Sequence, residues 1–546
     1  MATERKPGRR GFAPEFLRGA GLLGAGLCLS LPLGAAQAEE VPLSAIDWLS
    51  ASVSGPAAGM GTAGAPAFGS AATLPPVPGE VPVAAGVTTE TVVLQSLDAP
   101  SADALGLLPA SRTGLPRGLW GATPEVQLAA LLRKERLDTL PALQSFLLEL
   151  MLAELDAPRE RAAEGRNVLF LARIDRLLDL GALDQAMALL EQADGTDPEI
   201  FRRQFDVALL LGQEDRACEI MEKNPAVAPS FPARIFCLAR RAKWDDAALS
   251  LGTGRALGQI DSATAELLEH FLDPELSEGA EDLPPPARPS PLTFRLMEAI
   301  GQPMATTTLP VAFAQADLRA NSGWKTRIEA AERLTRMGVL DPNQLFGLYT
   351  LERASASGGV WNRVSLISRL DAALIAGQAE KVALLLPAAW EAMQAQELEP
   401  ALAAFFAERL SGLSLTGAAD RLAFRLSLLT PEFERAAAAR SPADLDEKLL
   451  IGLAKGATAG IPAQDQLGLM LKRVFDHAPA AAPAAYAPLL PDRLGEALLT
   501  AIDDISEGAK GDLRRLEAGL GLLRAAGLER VARRAALELL VLERRG

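Results

Sequence analysis

A helical pattern runs from Glu125 to the C-terminus of this 546-residue chain, and its interruptions are short turns of Gly, Asp or Pro. Apolar residues recur at helical spacings, for example at Ile174, Leu177 and Leu178. Ala and Leu, two strong helix formers, dominate the composition, and strand-like alternation is nearly absent. The sequence therefore predicts an all-α fold.

A proline-rich stretch, Asp282–Pro291, divides the helical pattern. Because proline cannot continue a helix, this stretch predicts a linker over 282–291. On either side we expect an N-terminal helical-repeat domain, 124–281, and a C-terminal helical-repeat domain, 292–546. The pattern leaves open whether the second domain is one stack of helices or two.

The stretch Arg173–Pro198 resembles a tetratricopeptide repeat unit, with Gly181 at the turn between two helices and Ala186 where the helices approach. Small residues follow at Ala217 and Ala247, 31 and 30 residues further on, whereas the standard repeat has about 34 residues. The chain thus resembles a degenerate tetratricopeptide-like array. This resemblance implies an α-solenoid of helical hairpins, which bury a continuous apolar seam and leave a concave face.

The first 38 residues have the features of an export signal. Five basic residues outnumber two acidic ones, an apolar run follows from Gly19 to Leu33, and the small-x-small pattern before the Ala38–Glu39 bond predicts cleavage there. The apolar run has about 15 residues, short of the roughly 20 that a membrane span needs. An uncleaved anchor is the alternative, and the choice between general and twin-arginine export is open. We expect a periplasmic or secreted protein.

Residues 39–123 differ in composition from the helical part. Gly55–Pro82 is rich in Gly, Ala and Pro with one charge, which predicts a flexible segment. Val87–Leu94 is rich in β-branched residues and predicts a short extended arm. The Leu, Pro and Trp residues of Leu105–Trp120 favour docking of this region on a surface.

A second resemblance comes from Ser96–Pro100, Gly106–Pro109 and Gly114–Trp120, which are similar to a group of exported bacterial proteins. Some of those proteins carry an antifreeze-glycopeptide label, which reflects their alanine content. Ice binding would need a regular threonine face, and the densest threonine cluster, Thr306–Thr308, does not repeat. The resemblance implies an exported helical protein and little more.

Two cysteines, Cys218 and Cys237, remain once the predicted signal with Cys28 is removed. They lie 19 residues apart on two predicted helices, with a proline-containing turn between them. Two adjacent antiparallel helices would bring them within bonding reach, and export would expose them to an oxidising compartment. We expect a structural disulfide, with two buried free thiols as the alternative.

Charge and motif content argue against several classes of function. Without residues 1–38 the chain has 54 − 5 = 49 Lys and Arg against 69 − 2 = 67 Asp and Glu, a net charge of −18, which is unfavourable for nucleic acid or an anionic membrane. The two histidines, His270 and His477, lie near predicted helix ends and suggest neither a metal site nor acid–base chemistry. We therefore predict no cofactor, no nucleic-acid partner and no membrane insertion after cleavage.

Three tryptophans, Trp244, Trp361 and Trp390, lie within helical patterns and are interpreted as packing residues. The overall prediction is an exported, non-catalytic helical-repeat protein that binds a protein or peptide partner in the cell envelope. The alternative is a periplasmic enzyme on a helical toroid, with Asp/Glu acid–base chemistry on an envelope polymer. Such an enzyme would need two carboxylates about 5–10 Å apart across one cleft, one of them with a raised pKa.

Overall fold

The computed structural model describes residues 101–542, except for 163–165, 194, 278–280, 355–356 and 479–480. Several predicted features lie outside the described residues and stay predictions: the export signal 1–38, its cleavage site at Ala38 and Glu39, and the extended arm Val87–Leu94. All described residues belong to one compact unit.

The described part of the chain is all-α, as predicted, and its one pairing of extended backbone is an isolated parallel bridge between Leu108 and Ala153. The helices that precede the proline-rich stretch are α1 (Ala110–Thr113), α2 (Glu125–Lys134), α3 (Pro141–Leu152), α4 (Val168–Leu180), α5 (Leu183–Leu190), α6 (Pro198–Leu211), α7 (Glu214–Lys223), α8 (Phe231–Arg240), α9 (Trp244–Ala256) and α10 (Ser262–Leu272). None of the described helices has both the length and the apolar character that a membrane span requires.

Fourteen further helices follow the proline-rich stretch within the described residues. They are α11 (Pro291–Ala299), α12 (Ala314–Asp317), α13 (Trp324–Arg336), α14 (Pro342–Thr350), α15 (Val360–Ile375), α16 (Ala379–Gln394), α17 (Glu399–Ser411), α18 (Gly417–Leu428), α19 (Phe433–Ala439), α20 (Leu445–Lys455), α21 (Gln466–Phe475), α22 (Leu494–Gly508), α23 (Leu513–Ala525) and α24 (Glu529–Val541). Short 3₁₀ helices lie at Ala102–Ala104, Pro225–Val227, Pro274–Ser277, Val311–Phe313 and Ala484–Leu489.

Helix α6 shows how the local sequence sets these boundaries. The Asp197 side chain accepts hydrogen bonds from the backbone N–H groups of Glu199 and Ile200 at 2.9 and 3.4 Å, which caps the start of the helix. Pro198 occupies the first helical position, where an N–H would have no helical partner. Gly212 ends the helix in the left-handed conformation, with φ of 74°.

Gly181, predicted at a helix–helix turn, ends α4 with φ of 76°. It also allows a close approach, because a Cβ atom there would lie 2.7 Å from Leu334 Cδ2 and 3.0 Å from Val311 Cγ1. Gln315 Nε2 donates to its carbonyl oxygen at 2.7 Å. This glycine therefore serves both the turn and the packing of α4 against a later part of the chain.

Most helices pack against their sequence neighbours, and several contacts join distant ones. Helix α6 contacts α11 and α12, α14 contacts α17, and α20 contacts α24. In a simple solenoid each repeat contacts only its neighbours. The helical body is thus more compact than such a stack.

The first two long helices of the described chain contact helices near its other end, since α2 packs against α22 and α3 packs against α24. Gln127 Nε2 donates to Glu496 Oε1 at 2.9 Å, and the backbone N–H of Ala142 donates to Glu538 Oε2 at 2.8 Å. Thr139 and Ser506 share a hydroxyl–hydroxyl hydrogen bond of 2.6 Å. The two ends of the described helical body therefore meet.

Residues 101–123 belong to the stretch predicted to be flexible, and in the structure they are folded onto the helical body. Trp120 is buried, and its ring packs so closely on Gly495 that a Cβ there would lie 2.5 Å from it. The Gly495 N–H donates to Leu119 O, and the Ala122 N–H donates to Asp492 O, each at 2.9 Å. Burial of apolar side chains and these backbone hydrogen bonds hold residues 101–123 on the helical body. The sequence analysis expected such docking for Leu105–Trp120.

Residues 282–290, all but the last residue of the predicted linker, contain no helix, and α11 begins at Pro291. Ser290 caps α11 by accepting a hydrogen bond from the Thr293 N–H at 3.0 Å. Helix α11 contacts both α10 and α6. The helical parts on the two sides of the proline-rich stretch are therefore packed together.

Candidate binding groove

A groove of about 710 Å³ lies between Thr350–Ala354, which comprise the last residue of α14 and the segment after it, and one face of α15. Its lining combines apolar, hydroxyl and charged side chains. The lining residues are Thr350, Leu351, Glu352, Arg353, Ala354, Val364, Ser365, Ser368, Arg369, Asp371, Ala372 and Ile375. Its volume falls within the range typical of ligand sites.

One wall of the groove is formed at the end of α14, a short helix whose two ends are fixed by hydrogen bonds. Asp341 caps its start by accepting from the Asn343 N–H at 2.7 Å, and Pro342 takes the first helical position. The Thr350 hydroxyl donates to Phe346 O at 2.9 Å in the last turn. The chain then leaves the helix at Leu351, which turns the following residues over α15.

A buried polar cluster beside the groove fixes α14 and α15 relative to each other. The Tyr349 hydroxyl of α14 donates to Glu332 Oε1 of α13 at 2.5 Å. Arg363 of α15 donates through Nε and Nη2 to the two oxygens of the same carboxylate, at 2.8 and 2.6 Å. Burial, and then the Glu332 charge, raise the pKa of Tyr349, so the phenol stays a donor. One carboxylate thereby joins three helices.

The far end of α15 is held in a different way. Asp371 accepts from Arg409 of α17 at 2.7 Å, and the Arg409 guanidinium lies 4.7 and 4.8 Å from the ring centres of Phe405 and Phe406. These cation–π contacts restrict the arginine. Ser368 donates to Tyr349 O at 3.1 Å and ties the middle of α15 to α14. Both walls are therefore rigidly placed.

The mouth of the groove presents side chains that the fold leaves unused. Leu351 is 55% exposed and Ile375 is 75% exposed. Arg353 and Arg369 are also exposed, and within the described part of the chain neither has a hydrogen-bond or ion-pair partner. The groove thus offers apolar surface and two available guanidinium groups on a fixed frame.

The predicted cysteine pair lies elsewhere, where α7 and α8 pack together. The sulfur atoms of Cys218 and Cys237 are 1.94 Å apart and their Cα atoms 5.0 Å apart, which is disulfide geometry. The cysteines line a separate cavity of about 250 Å³. The two cysteines thus lie at disulfide distance, as the sequence predicted, and they do not line the groove.

The two histidines also lie outside the groove lining. His270 is in the last turn of α10, and the carbonyl oxygen of His477, just after α21, accepts from Arg524 at 3.0 Å. Among the described residues no three His, Cys, Asp or Glu side chains come together in a way that would hold a metal ion.

Two carboxyl groups have strongly raised pKa values because they are buried. Burial raises the pKa of Glu135 to about 8 against the opposing charge of Arg176, and it raises the pKa of Asp206 to about 7 against Arg202. Neither residue lines the groove. Carboxyl groups with a strongly raised pKa, which an acid–base catalyst would need, therefore lie in the helical interior and do not line the groove.

Sequence reasoning did not single out the groove. Leu351, Arg353 and their neighbours stand at the end of a helical pattern, where an exposed apolar residue is common and carries no signal of its own. Leu351 and Arg353 follow α14, whereas Arg369 and Ile375 lie on α15. These residues form one site only because α14 and α15 lie side by side.

No family model, no curated protein and no solved structure matches this chain. The tetratricopeptide-like interpretation therefore stays a prediction.

Proposed function

We propose that this chain is an exported helical-repeat protein that binds a peptide segment of an envelope partner in the α14–α15 groove, without bond chemistry. The observation that carries the proposal is the set of unused apolar and cationic side chains on fixed walls. The export part of the proposal is supported by the sequence of residues 1–38 and by the disulfide-bonded cysteine pair.

The apolar part of the groove supplies affinity. Covering Leu351 and Ile375 with ligand side chains would remove apolar surface from water, at about 25 cal/mol for each Å². Both side chains lie at the mouth rather than in the floor, so an extended or helical segment lying across the groove covers them better than a small molecule inside it. This favours a peptide ligand.

The charged part of the groove supplies specificity. A guanidinium group forms paired hydrogen bonds with a carboxylate, and Arg353 and Arg369 need break no existing ion pair to do so. The fitting ligand therefore carries an Asp, Glu or terminal carboxylate beside apolar side chains.

The enzyme alternative fits this groove less well. Glu352 and Asp371 both line it, but Asp371 is engaged by Arg409 at 2.7 Å. A pair of available carboxylates across one cleft, which glycoside hydrolysis uses, is therefore missing from the residues that line it. Release of soluble fragments from purified cell wall by the protein would support the enzyme alternative instead.

The proposal is tested by selecting ligands from a displayed library of random peptides and measuring the affinity of a synthetic peptide with the enriched sequence. We expect enrichment of acidic residues next to apolar ones. The double variant R353E/R369E should weaken binding of that peptide by about 100-fold, since two attractive charges become repulsive. The affinity should also fall with added salt.

The matched control is R514E, which reverses an exposed arginine of α23 outside the groove. It should leave the affinity within about two-fold, a change worth under about 0.5 kcal/mol. Enriched peptides without acidic residues, or equal binding by the groove variant and the control, would overturn the proposal.

A further inference from the structure

The N-terminal part of this chain has a charge opposite to that of the α14–α15 groove. Residues 39–100 contain six acidic residues and no Lys or Arg. The groove presents Arg353 and Arg369, which are exposed and have no ion-pair partner within the described part of the chain. Surfaces of opposite charge attract each other. Residues 39–100 are therefore a source of ligands for the groove within the same molecule.

One short run within residues 39–100 places a carboxylate among large apolar side chains. Ile46 directly precedes Asp47, and Trp48 and Leu49 follow it. None of the other five acidic residues in residues 39–100 has a large apolar residue directly on both sides. Residues 46–49 thus combine a carboxylate with apolar side chains, which is the combination proposed for the ligand, and tryptophan is a common anchor at interfaces.

The sequence between this run and the helical body is long enough to reach the groove. Residues 50–100 separate Leu49 from Ser101, the first described residue, and they include the predicted flexible segment 55–82. A flexible chain of 51 residues has a root-mean-square end-to-end distance of about 40 Å. A compact folded chain of the length of residues 101–542 has a radius of gyration of about 22 Å. The groove therefore lies within reach of residues 46–49.

We propose that residues 46–49 bind in the α14–α15 groove of their own molecule and thereby compete with the peptide partner. The Asp47 carboxylate pairs with a guanidinium group at the mouth of the groove, and the apolar neighbours of Asp47 cover Leu351 and Ile375. This inference rests on the proposed function, because it requires a groove that binds such peptides.

The covalent connection makes this competition effective even at low intrinsic affinity. A flexible linker whose length matches the span gives its end an effective concentration on the order of 1 mM. A run that binds the groove with a Kd of about 100 μM would then weaken the binding of any free peptide by about ten-fold. The full chain should therefore bind a free ligand less tightly than a chain whose own run has been altered.

Binding of a labelled synthetic peptide of residues 39–54 to the chain without residues 1–38 tests the proposal. The variant D47R/W48S should bind this peptide about ten-fold more tightly than the wild-type protein, because the variant's own run no longer occupies the groove. Adding R353E/R369E to that variant should weaken binding by about 100-fold, since the attractive charges of the groove become repulsive.

The matched control is F68S/E80R, which also replaces one aromatic and one acidic residue of the segment but leaves residues 46–49 intact. It should bind the peptide within about two-fold of the wild-type affinity. Equal binding of the peptide by the wild-type protein and D47R/W48S would overturn the proposal. A gain that depends on protein concentration, with dimers of the wild-type chain in sedimentation velocity, would overturn it in favour of a second copy as the occupant.

The outcome also separates this inference from the proposed function. If peptides selected from the library bind the groove but the peptide of residues 39–54 does not, the proposed function stands and this inference fails. If neither kind of peptide binds the wild-type protein or D47R/W48S, both fail. If the selected peptides bind D47R/W48S more tightly than the wild-type protein, both are supported.

Discussion

Two parts of the helical body hold their helices together by different chemistry. Where α3 and α4 meet the N-terminal segment, the fully buried Arg173 bonds to backbone carbonyls. Where α7 and α8 meet, a disulfide joins Cys218 to Cys237, and nearby charged pairs such as Lys243–Glu222 are open to solvent. The first part depends on an interior charge and the second on a covalent bond, so they should respond to different perturbations.

Arg173 uses all five of its N–H groups. It donates to Met151 O at 2.8 and 2.6 Å, to Ala153 O at 3.1 Å, to Asp103 O at 3.1 Å and to Leu105 O at 2.8 Å. Met151 and Ala153 lie at the end of α3, where carbonyl groups lack helical partners. Burial lowers the pKa of Arg173 to about 10, so it remains charged at neutral pH. This side chain therefore works as an internal cap for another helix.

Replacing Arg173 by Met should have the largest effect. The change keeps the length of the side chain but leaves four buried carbonyl groups without their donors, and we expect a loss of about 4 kcal/mol in the free energy of unfolding. Urea denaturation followed by circular dichroism measures it. R216M, which removes an exposed arginine from the surface pair with Glu191, should cost less than about 1 kcal/mol. Equal losses in the two variants would show that Arg173 is no cap.

Removing the disulfide should have the next largest effect. The bond closes a loop of 19 residues, for which the chain-entropy model gives about 3 kcal/mol. C218S/C237S should lose that amount in urea denaturation without reductant, and reductant should destabilise the wild-type protein but not the variant. R173M should remain sensitive to reductant, because the two parts are independent. A wild-type protein indifferent to reductant would contradict the structural role of the bond.

The disulfide and the helix boundaries were predictable because both depend on short stretches of sequence. Gly181 and Gly212 end helices through their own backbone freedom, and they take the left-handed conformation wherever the helix is packed. The cysteine pair follows from two neighbouring helices joined by a short proline-containing turn. In each case the residues that decide the structure lie within about 20 positions of each other.

The interior charge, the groove and the exposure of Trp244 were not predictable in this way. A charged residue in a helical pattern is assumed to face water, so Arg173 gave no sign of its burial. Trp244, interpreted as a packing residue, shares the helix face of the buried Leu251, yet it stands at the first position of α9 and is 51% exposed, which periodicity alone does not indicate. The contact between α2 and α22 joins residues about 370 positions apart, which no local pattern encodes.

The smallest expected effect is the pH dependence of stability that Glu135 contributes. Glu135, at the end of α2, is buried near Arg176 of α4 and Asp503 of α22, and burial raises its pKa to about 8 from 4.5. Between those values the folded state holds a proton that the unfolded state has lost, so the free energy of unfolding falls as the pH rises. E135Q cannot ionise. Between pH 5.5 and 7 we expect the wild-type protein to lose about 2 kcal/mol relative to this variant in urea denaturation.

The matched control is Glu222 of α7, in the part of the molecule where the disulfide joins α7 to α8. Hydrogen bonds from Lys243 and Arg241 lower the pKa of Glu222, so its titration lies below the interval from pH 5.5 to 7. E222Q should therefore follow the wild-type protein across that interval, whereas E135Q diverges from it. If both variants track the wild-type protein, Glu135 is ionised in the folded state, and the contrast between a part held by an interior charge and a part held by a covalent bond loses its pH signature.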